Sequence, residues 1–488
     1  MDTEVIIVGA GPTGLMLAGE LRLGGVEVVV VDKLAAPTGQ SRGLGFTART
    51  METFDQRGIL PLFGPLETSP MGHFGGIQFD YSVLEDGHFG ARGIPQSQTE
   101  AVLEQWATGK GAQLRRSWEL LGLVDEGDGV RATFTTPDGE RELRAAFLVG
   151  CDGGQSTVRR LAGFEFPGTP ATRGMYLADV VGCGLKPRFL GEKLQGGMVM
   201  AAPLGPQVDR IIVCEHGTPA GDRGQETTFE EVADAWERIT GESIRHGSAD
   251  WVSSFTDATR QASEYRRGRV LLAGDAAHIH LPAGGQGLST GVLDAVNLGW
   301  KLAATVRGWA PEGLLDTYHA ERHPAGVRLL MNTRAQGMIF LGGEEADPLR
   351  ELFTELIAND DNKRHLAGIV SGLDIRYDLG DGDHPLLGRR IPPRRLTTAD
   401  GETSTQELLH DGKGVLLDLT DDPGVRAVAA GWPDRVIVAT GRESGTSSLG
   451  GGALLVRPDG YVAWAGDEPK DLDVELRRWF GNPVDVGS

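Results

Sequence analysis

Short apolar runs that stop at glycine recur along this chain and define its elements. Val5–Val8 is a β-branched run closed by Gly9, the pattern of a strand buried on both faces. Leu15, Leu17, Ala18 and Leu21 follow at helical spacing, and Gly24-Gly25 ends that helix. Val26–Val31 is a second buried strand, closed by Asp32. An amphipathic helix is built on Met51, Phe54 and Ile59-Leu60. Two further strand–turn–helix units lie downstream. FLVG (Phe147–Gly150) runs into Asp152-Gly153, and VLLA (Val270–Ala273) runs into Gly274-Asp275 before a helix over GVLDAVNLGWKLAATV. The three units predict one sheet around one extended ligand. Between them, GGIQFDYSV, MYLADVV, GGMVMAAP and RIIVCEHG read as strands of a second sheet. Alternation in Gln78-Phe79-Asp80-Tyr81 turns one face toward a cavity, and Met198 and Met200, two apart, share a strand face. After RRIPPRR, four strand-like runs (VLLDLTDD, RVIVAT, GALLVRP, YVAWAG) precede a closing helix, with Pro458-Asp459-Gly460 as a hairpin turn.

Composition narrows the class. The 488 residues suggest two to four domains. The net charge of −21 argues against nucleic acid and against anionic membranes, because phosphate binding needs a positive surface. Cys151, Cys183 and Cys214 form no CxxC pair, so neither a disulfide framework nor a thiolate metal site is expected. The opening lacks the basic flank and length of a signal peptide. No window approaches the ~18 consecutive apolar residues of a spanning helix. The chain reads as soluble and cytoplasmic.

Chemistry enters at the turns. Gly9-x-Gly11-x-x-Gly14 after a strand, with Asp32 about 20 residues on, is the dinucleotide-binding arrangement. The glycines let backbone N–H groups and a helix N-terminus meet a pyrophosphate, and Asp32 can accept from ribose hydroxyls. Arg42 is placed to neutralise that pyrophosphate. Gly287-Leu288-Ser289-Thr290-Gly291 also matches G-x-S-x-G, which raises a serine hydrolase using Ser289. That reading needs the serine directly after a strand, and some fifteen residues separate it from VLLA. His278-x-His280 has no evident third ligand, so no metal is expected.

GAGPTG, CDGGQSTVR and GDAAHIHLPAGGQGLSTG with DAVNLGWKLA together resemble the three motifs of class A flavoprotein monooxygenases, the para-hydroxybenzoate hydroxylase family. GHFGG, PQSQTE, GGMVM, HLAG and LVRPDGYVAWAG extend the resemblance over nearly the whole chain, toward angucycline-type aromatic polyketide hydroxylases. The resemblance implies that Gly9, Gly11, Pro12 and Gly14 meet the FAD pyrophosphate, with Arg42 beside it. Asp32 and Lys33 meet the adenosine end, and Gln96 lies near the ribitol. Asp152 and Gly153 serve FAD and NAD(P)H, and Asp275 holds the ribitol. Pro282, Gly285, Gly287, Leu288 and Ser289 line the isoalloxazine. Leu281-Pro282 stands where the family carries a proline pair, Ser289 where it carries asparagine, and Leu293 at a common glutamine.

The implied fold is α/β with a discontinuous FAD-binding domain (1–70, 97–175 and 260–385), a β-sheet substrate-covering domain (71–96 and 176–259) and a C-terminal thioredoxin-like domain (390–488). That last domain has no cysteine and so no thiol redox chemistry; packing or homodimer formation is left to it. The implied activity consumes NADPH (or NADH) and O₂ and hydroxylates a small aromatic polyketide through a flavin C4a-hydroperoxide. Baeyer–Villiger oxygenation on the same scaffold is the near alternative. Gln78, Phe79, Met198 and Met200 are the expected substrate contacts, and no protein base is assigned.

Overall fold

In a computed structural model the described residues are 1–40, 43–84, 88–220, 227–444, 448–466 and 468–484. The central sheet runs in the order Arg266–Arg267, Val270–Leu272, Phe147–Gly150, β1 (Val5–Val8), β2 (Val28–Asp32) and Gln113–Arg116. Every pair is parallel except the Arg266–Arg267 edge. Val5, Ile6 and Ile7 are wholly buried, in one core with helix residues such as Leu17 and Leu298 and with Leu120, Ala132 and Phe134 of the three-stranded sheet Glu119–Asp125/Val130–Thr136/Gly139–Ala145. Helix α1 (Pro12–Leu23) connects β1 to β2, α2 (Ala48–Asp55) follows, and α3 (Gln96–Gly109) packs on α1. Gly19 of α1 meets the Trp106 ring of α3 where a side chain would collide. The short α4 (Thr157–Leu161) follows the second strand–turn unit.

A five-stranded antiparallel sheet spans Gly174 to Thr256. Strand alternation gives it two different faces. Val199, Ala201, Ile211 and Val213 pack under α5 (Phe229–Thr240), which is started by a capping box of Thr228 and Glu231. Met175, Met198 and Cys214 face the other way, toward Leu281 and Leu341 of the main body. The hairpin Met71–Phe74/Ile77–Asp80 forms a separate two-stranded sheet.

The long helices α6 (Gln286–Val306) and α7 (Thr317–Phe340) complete the main body, and α8 (Asp347–Ala358) and α9 (Asp360–Ser371) flank the hairpin. The C-terminal domain is a six-stranded sheet from Arg395 to Gly466 with α10 (Pro423–Ala429) and α11 (Leu472–Phe480). Gly414–Asp418 and Val436–Ser444 run parallel through α10, and an antiparallel hairpin follows, which is a thioredoxin-like order.

This domain is fused to the main body by apolar and ionic contact. Trp300 and Ala304 of α6 share a core with Trp479 and Phe480 of α11. The Arg457–Gly460 turn joins two antiparallel strands, as the hairpin reading expects, and is buried. Arg457 makes two 2.7 Å bonds to Glu321 of α7, and Glu321 also takes Lys301 of α6 at 2.9 Å. Arg57 grips Glu20 of α1 at 2.6 Å and donates to the Pro458 carbonyl at 2.7 Å. Burial raises the Glu321 carboxyl, but Arg457 and Lys301 outweigh it and hold the group well below the usual carboxylate range. Glu321→Ala would leave two buried cations short of their acid. We expect it to lower unfolding stability by about 3–5 kcal/mol, read as a lowered Tm, whereas Asp361→Ala on the surface of α9 changes it little.

Candidate active site

The β1–α1 turn is shaped to approach a ligand with backbone alone. Gly9 has φ +107° and lies against the Cys151 carbonyl, and Gly14 lies against the Gly9 carbonyl, so neither position has room for a side chain. Around Gly11 there is open space. Pro12 occupies the first helical position, no side chain caps α1, and its first turn holds no acid. The Asp32 carboxylate accepts from the N–H groups of Ala10 and Leu34, both at 2.8 Å, which fixes it at the rim of the turn. Its remaining lone pairs suit hydroxyl donors. Lys33 beside it is exposed. Arg42 lies outside the described residues. Gln96 opens α3, donates from its backbone N–H to the Gly43 carbonyl at 3.1 Å and from its side chain to Glu100 at 2.8 Å.

The second unit closes on itself. Asp152 accepts from Ser156 Oγ at 2.5 Å and from the N–H groups of Thr157 and Val158 at 2.7 and 3.1 Å. The structure places this carboxylate on the start of α4, while Gly153, at φ +80°, borders open space. Arg159 then reaches the Ala276 carbonyl at 2.8 Å and joins this unit to the third.

The third unit meets the first through Thr13: Gly274 at 2.6 Å and Gly291 both lack space for a side chain against it. Asp275 is exposed on this turn. The turn hangs from Asp294, a buried residue of α6 that accepts from the Gly274 N–H at 3.0 Å, from Arg322 at 2.7 Å and pairs with His278 at 2.7 Å. Burial raises the Asp294 carboxyl, yet Arg322 and His278 bring it below its ordinary value. From the sequence, Asp294 and Arg322 are not singled out, and His278 is considered only as a metal ligand. A signal was present: Asp294 stands at an interior, apolar-flanked helix position, where a carboxylate requires partners.

Helix α6 starts from Gly284 (φ +71°) and Gly285 (φ +66°), with no side-chain cap and no acid in its first turn. Its first N–H groups are available to a negatively polarised ligand edge. Gly287 lies beside His280, 3.5 Å from Nε2 to the site of a Cβ, Leu288 borders Gly43, and Pro282 is exposed on the approach. Ser289 is 3% exposed, and its Oγ accepts from the Thr47 N–H at 3.0 Å. Among the described residues no histidine bonds to it. The hydrolase reading fails on that geometry, because a nucleophile needs an accessible oxygen and a base. The hydroxyl ties α6 to the start of α2 instead. The uncapped starts of α1 and α6, the open space at Gly11 and the acids at Asp32 and Asp275 fit an extended dinucleotide such as FAD.

On the substrate side, Met198 and Met200 gather with Met175, Phe255 and Phe340 around Leu281 and Ala283, the residues flanking Pro282. The His73 ring lies 5.9 Å from that of Phe340. His73 Nδ1 accepts from the Gly76 N–H at 3.2 Å, which assigns the ring proton to Nε2. Burial, with Arg92 adding, pulls its pKa down to about 4. Gln78 is exposed and lines a groove of about 430 Å³ with Met71, Arg92 and Phe189. Phe79 does not share that face: it packs with Phe74, Ile339 and Ile357 beneath α8 and α9. The strand pleat sends adjacent side chains to opposite faces, and the larger apolar one goes to the core.

The chain is similar to known proteins over nearly its whole length. Residues 2–333 match the FAD binding domain family, and residues 384–483 match the aromatic-ring hydroxylase C-terminal family. A 12-dehydrotetracycline 5-monooxygenase/anhydrotetracycline 6-monooxygenase of Streptomyces rimosus is 43% identical over 99% of this chain and 100% of its own length. A rifampicin monooxygenase of Streptomyces venezuelae is 44% identical over 98% of each chain. The crystal structure of CabE, an aromatic hydroxylase from angucycline biosynthesis, superposes with a TM-score of 0.96 at 59% identity, covering 99% of this chain and 100% of that one. No described helix is long and apolar enough to cross a membrane. With its two matched domains and its full-length relatives, the chain belongs to the class A flavoprotein monooxygenases, the FAD-dependent aromatic-ring hydroxylases.

Proposed function

We propose that this protein hydroxylates a polycyclic aromatic polyketide of angucyclinone type in the cytoplasm, using FAD, O₂ and NAD(P)H. The observation that carries this reading is the Met- and Phe-lined sheet face that converges on Leu281 and Ala283, immediately before the start of α6. Flexible thioethers adapt to a broad, flat aromatic ligand. The bound flavin supplies the redox chemistry by which one oxygen atom of O₂ reaches the ring.

The chain's own residues bind, orient and dry the site. Gly9, Gly11 and Gly14 bring backbone N–H groups to the pyrophosphate, and Asp32 and Asp275 accept from sugar and ribitol hydroxyls. The N-terminus of α6 stabilises negative charge on the facing ring edge. Met175, Met198 and Met200 form an apolar wall, which would keep water from the reacting ring and limit unproductive loss of the oxidant. A panel of tetracyclic aromatic polyketides, scored for substrate-triggered NAD(P)H oxidation and for product, tests the proposal. A hydroxylated ring is expected; a ring-expanded lactone would establish the Baeyer–Villiger outcome instead, and an absence of any oxygenated product would sink both.

Open space at Gly11 gives a sharp expectation. Gly11→Val should fold with a Tm close to that of the unliganded parent and yet purify colourless, whereas Gly14→Val should not fold stably; visible absorbance and thermal unfolding separate the two. Ser289→Ala removes one hydrogen bond, worth about 1 kcal/mol, and should leave turnover within about fivefold of the parent in a steady-state assay. His73 should titrate near pH 4 in the folded protein, followed by NMR of ¹⁵N-labelled histidine. An unfolded chain takes up that proton first, near 6.5. His73 therefore subtracts stability as the pH falls from about 6.5 to about 4, and His73→Gln should be less sensitive over that window.

A further inference from the structure

Three buried amide side chains form an unbroken line between the flavin loop and the substrate hairpin. The Gly75 N–H donates to Gln336 Oε1 at 3.2 Å. Gln336 Nε2 donates to Asn332 Oδ1 at 3.1 Å, and Asn332 Nδ2 donates to Gln286 Oε1 at 3.0 Å. Gln286 Nε2 then donates to the Ala283 carbonyl at 3.2 Å. All three amides are at most 5% exposed. Asn332 and Gln336 stand one turn apart on α7, the spacing that stacks side chains on one helix face.

The line has a direction. Every amide accepts from the hairpin side and donates toward the flavin loop, so the dipoles add along it. Its fit is tight at both ends. Gly75, at φ +57°, lies 2.9 Å from Ile339 to the site of a Cβ, and Gly284 lies 3.1 Å from Gln286 Nε2 and 3.7 Å from Gln336 Nε2 by the same measure. Helix packing alone would be served by apolar side chains, since a buried amide is costly unless its bonds are made. One end of the line is the first residue of α6 and the loop before it. The other is the turn of the hairpin that carries His73 and Gln78.

We propose that Gln286, Asn332 and Gln336 are positioning residues that make the placement of the substrate hairpin depend on the seating of the flavin loop. The inference rests on the placement of the flavin ring at the start of α6. A ligand held there fixes residues 283–286, and the amide line passes that constraint to Gly75. Without it, the hairpin is held by the apolar contacts of Phe74 and Phe79 with α7, α8 and α9, which are not directional, and by the Arg92 bond to the Met71 carbonyl at its far end.

Hydrogen exchange on the whole protein, with and without FAD, tests this. FAD occupancy is read independently from visible absorbance. In the parent, FAD should slow exchange of the Gly75 amide by about fivefold. Asn332→Leu and Gln336→Leu should still bind FAD but lose that slowing, and the double variant should be no worse than either single, since both act on one line. Gln336→Glu supplies a comparison within one folded protein. A buried carboxyl has a raised pKa; protonated near pH 6 it accepts from Gly75 and donates to Asn332, and ionised near pH 9 it cannot donate. The FAD-dependent slowing, taken as a ratio at each pH, should be present at the lower value and lost at the higher. Unchanged slowing in FAD-loaded leucine variants, equal ratios for Gln336→Glu at both pH values, or a parent hairpin insensitive to bound FAD would each overturn the proposal. A parent that takes up no FAD would instead overturn the site assignment beneath it.

Discussion

Asp294 is closed off from water and carries three partners on two oxygens: the Gly274 N–H, His278 and Arg322. A lone buried carboxylate would be prohibitively costly, so these partners come as a set. The set has geometric content. It fixes the turn bearing Asp275 to the body of α6, whose uncapped start lies two turns away along the same helix. A ligand that touches both Asp275 and that start therefore meets two points of one rigid part. Tyr318 extends the set by donating to the Leu272 carbonyl at 2.7 Å, which pins the strand feeding the turn. Arg322 extends it the other way, to the Tyr377 hydroxyl at 3.0 Å.

The same economy governs the helix starts. Helices α4, α5, α9 and α10 begin at Ser, Thr, Asn and Asp residues whose side chains satisfy their first N–H groups. Helices α2, α3, α7, α8 and α11 also lack a side-chain cap, but α1 and α6 are distinguished by an N-cap glycine. They are brought together where Gly274 and Gly291 press on Thr13, so two helix termini of like polarity point into one region. That arrangement is unfavourable until something negative lies between them.

Much of this frame was legible because it follows local rules. The β1–α1–β2 unit is announced by an apolar run, three glycines and an acid within some thirty residues, and it folds as read. What was not legible is set by partners far apart in the chain. Ser289 stood in the sequence as a candidate nucleophile or flavin neighbour, but its hydroxyl bonds to Thr47, 242 residues away. Alternation at Gln78-Phe79 was visible, yet which face would be core was fixed only by α8 and α9 packing on the hairpin. Asn332 and Gln336 looked like ordinary polar positions of a long helix, and their role appears only when Gly75 and Gln286 close on either side. Asp152 stood in a recognised motif, but four residues later Ser156 supplies the cap that turns the acid inward.

The Arg457–Gly460 turn bears on how this architecture can diversify. Its arginine and carbonyls are satisfied by Glu321, Arg49 and Arg57, and Glu20 and Lys301 hold Arg57 and Glu321 in turn; these residues belong to α1, α6, α7 and the segment around α2. Two of these, α1 and α6, are the helices whose starts are proposed to face the cofactor. The C-terminal domain is thus not an interchangeable module joined at the Pro-rich link. Recombination at that link between diverged homologues would set one lineage's turn into another's socket, and a single mismatched charge would be trapped without solvent. Exchange of this domain is consequently constrained to partners whose socket residues have changed in step.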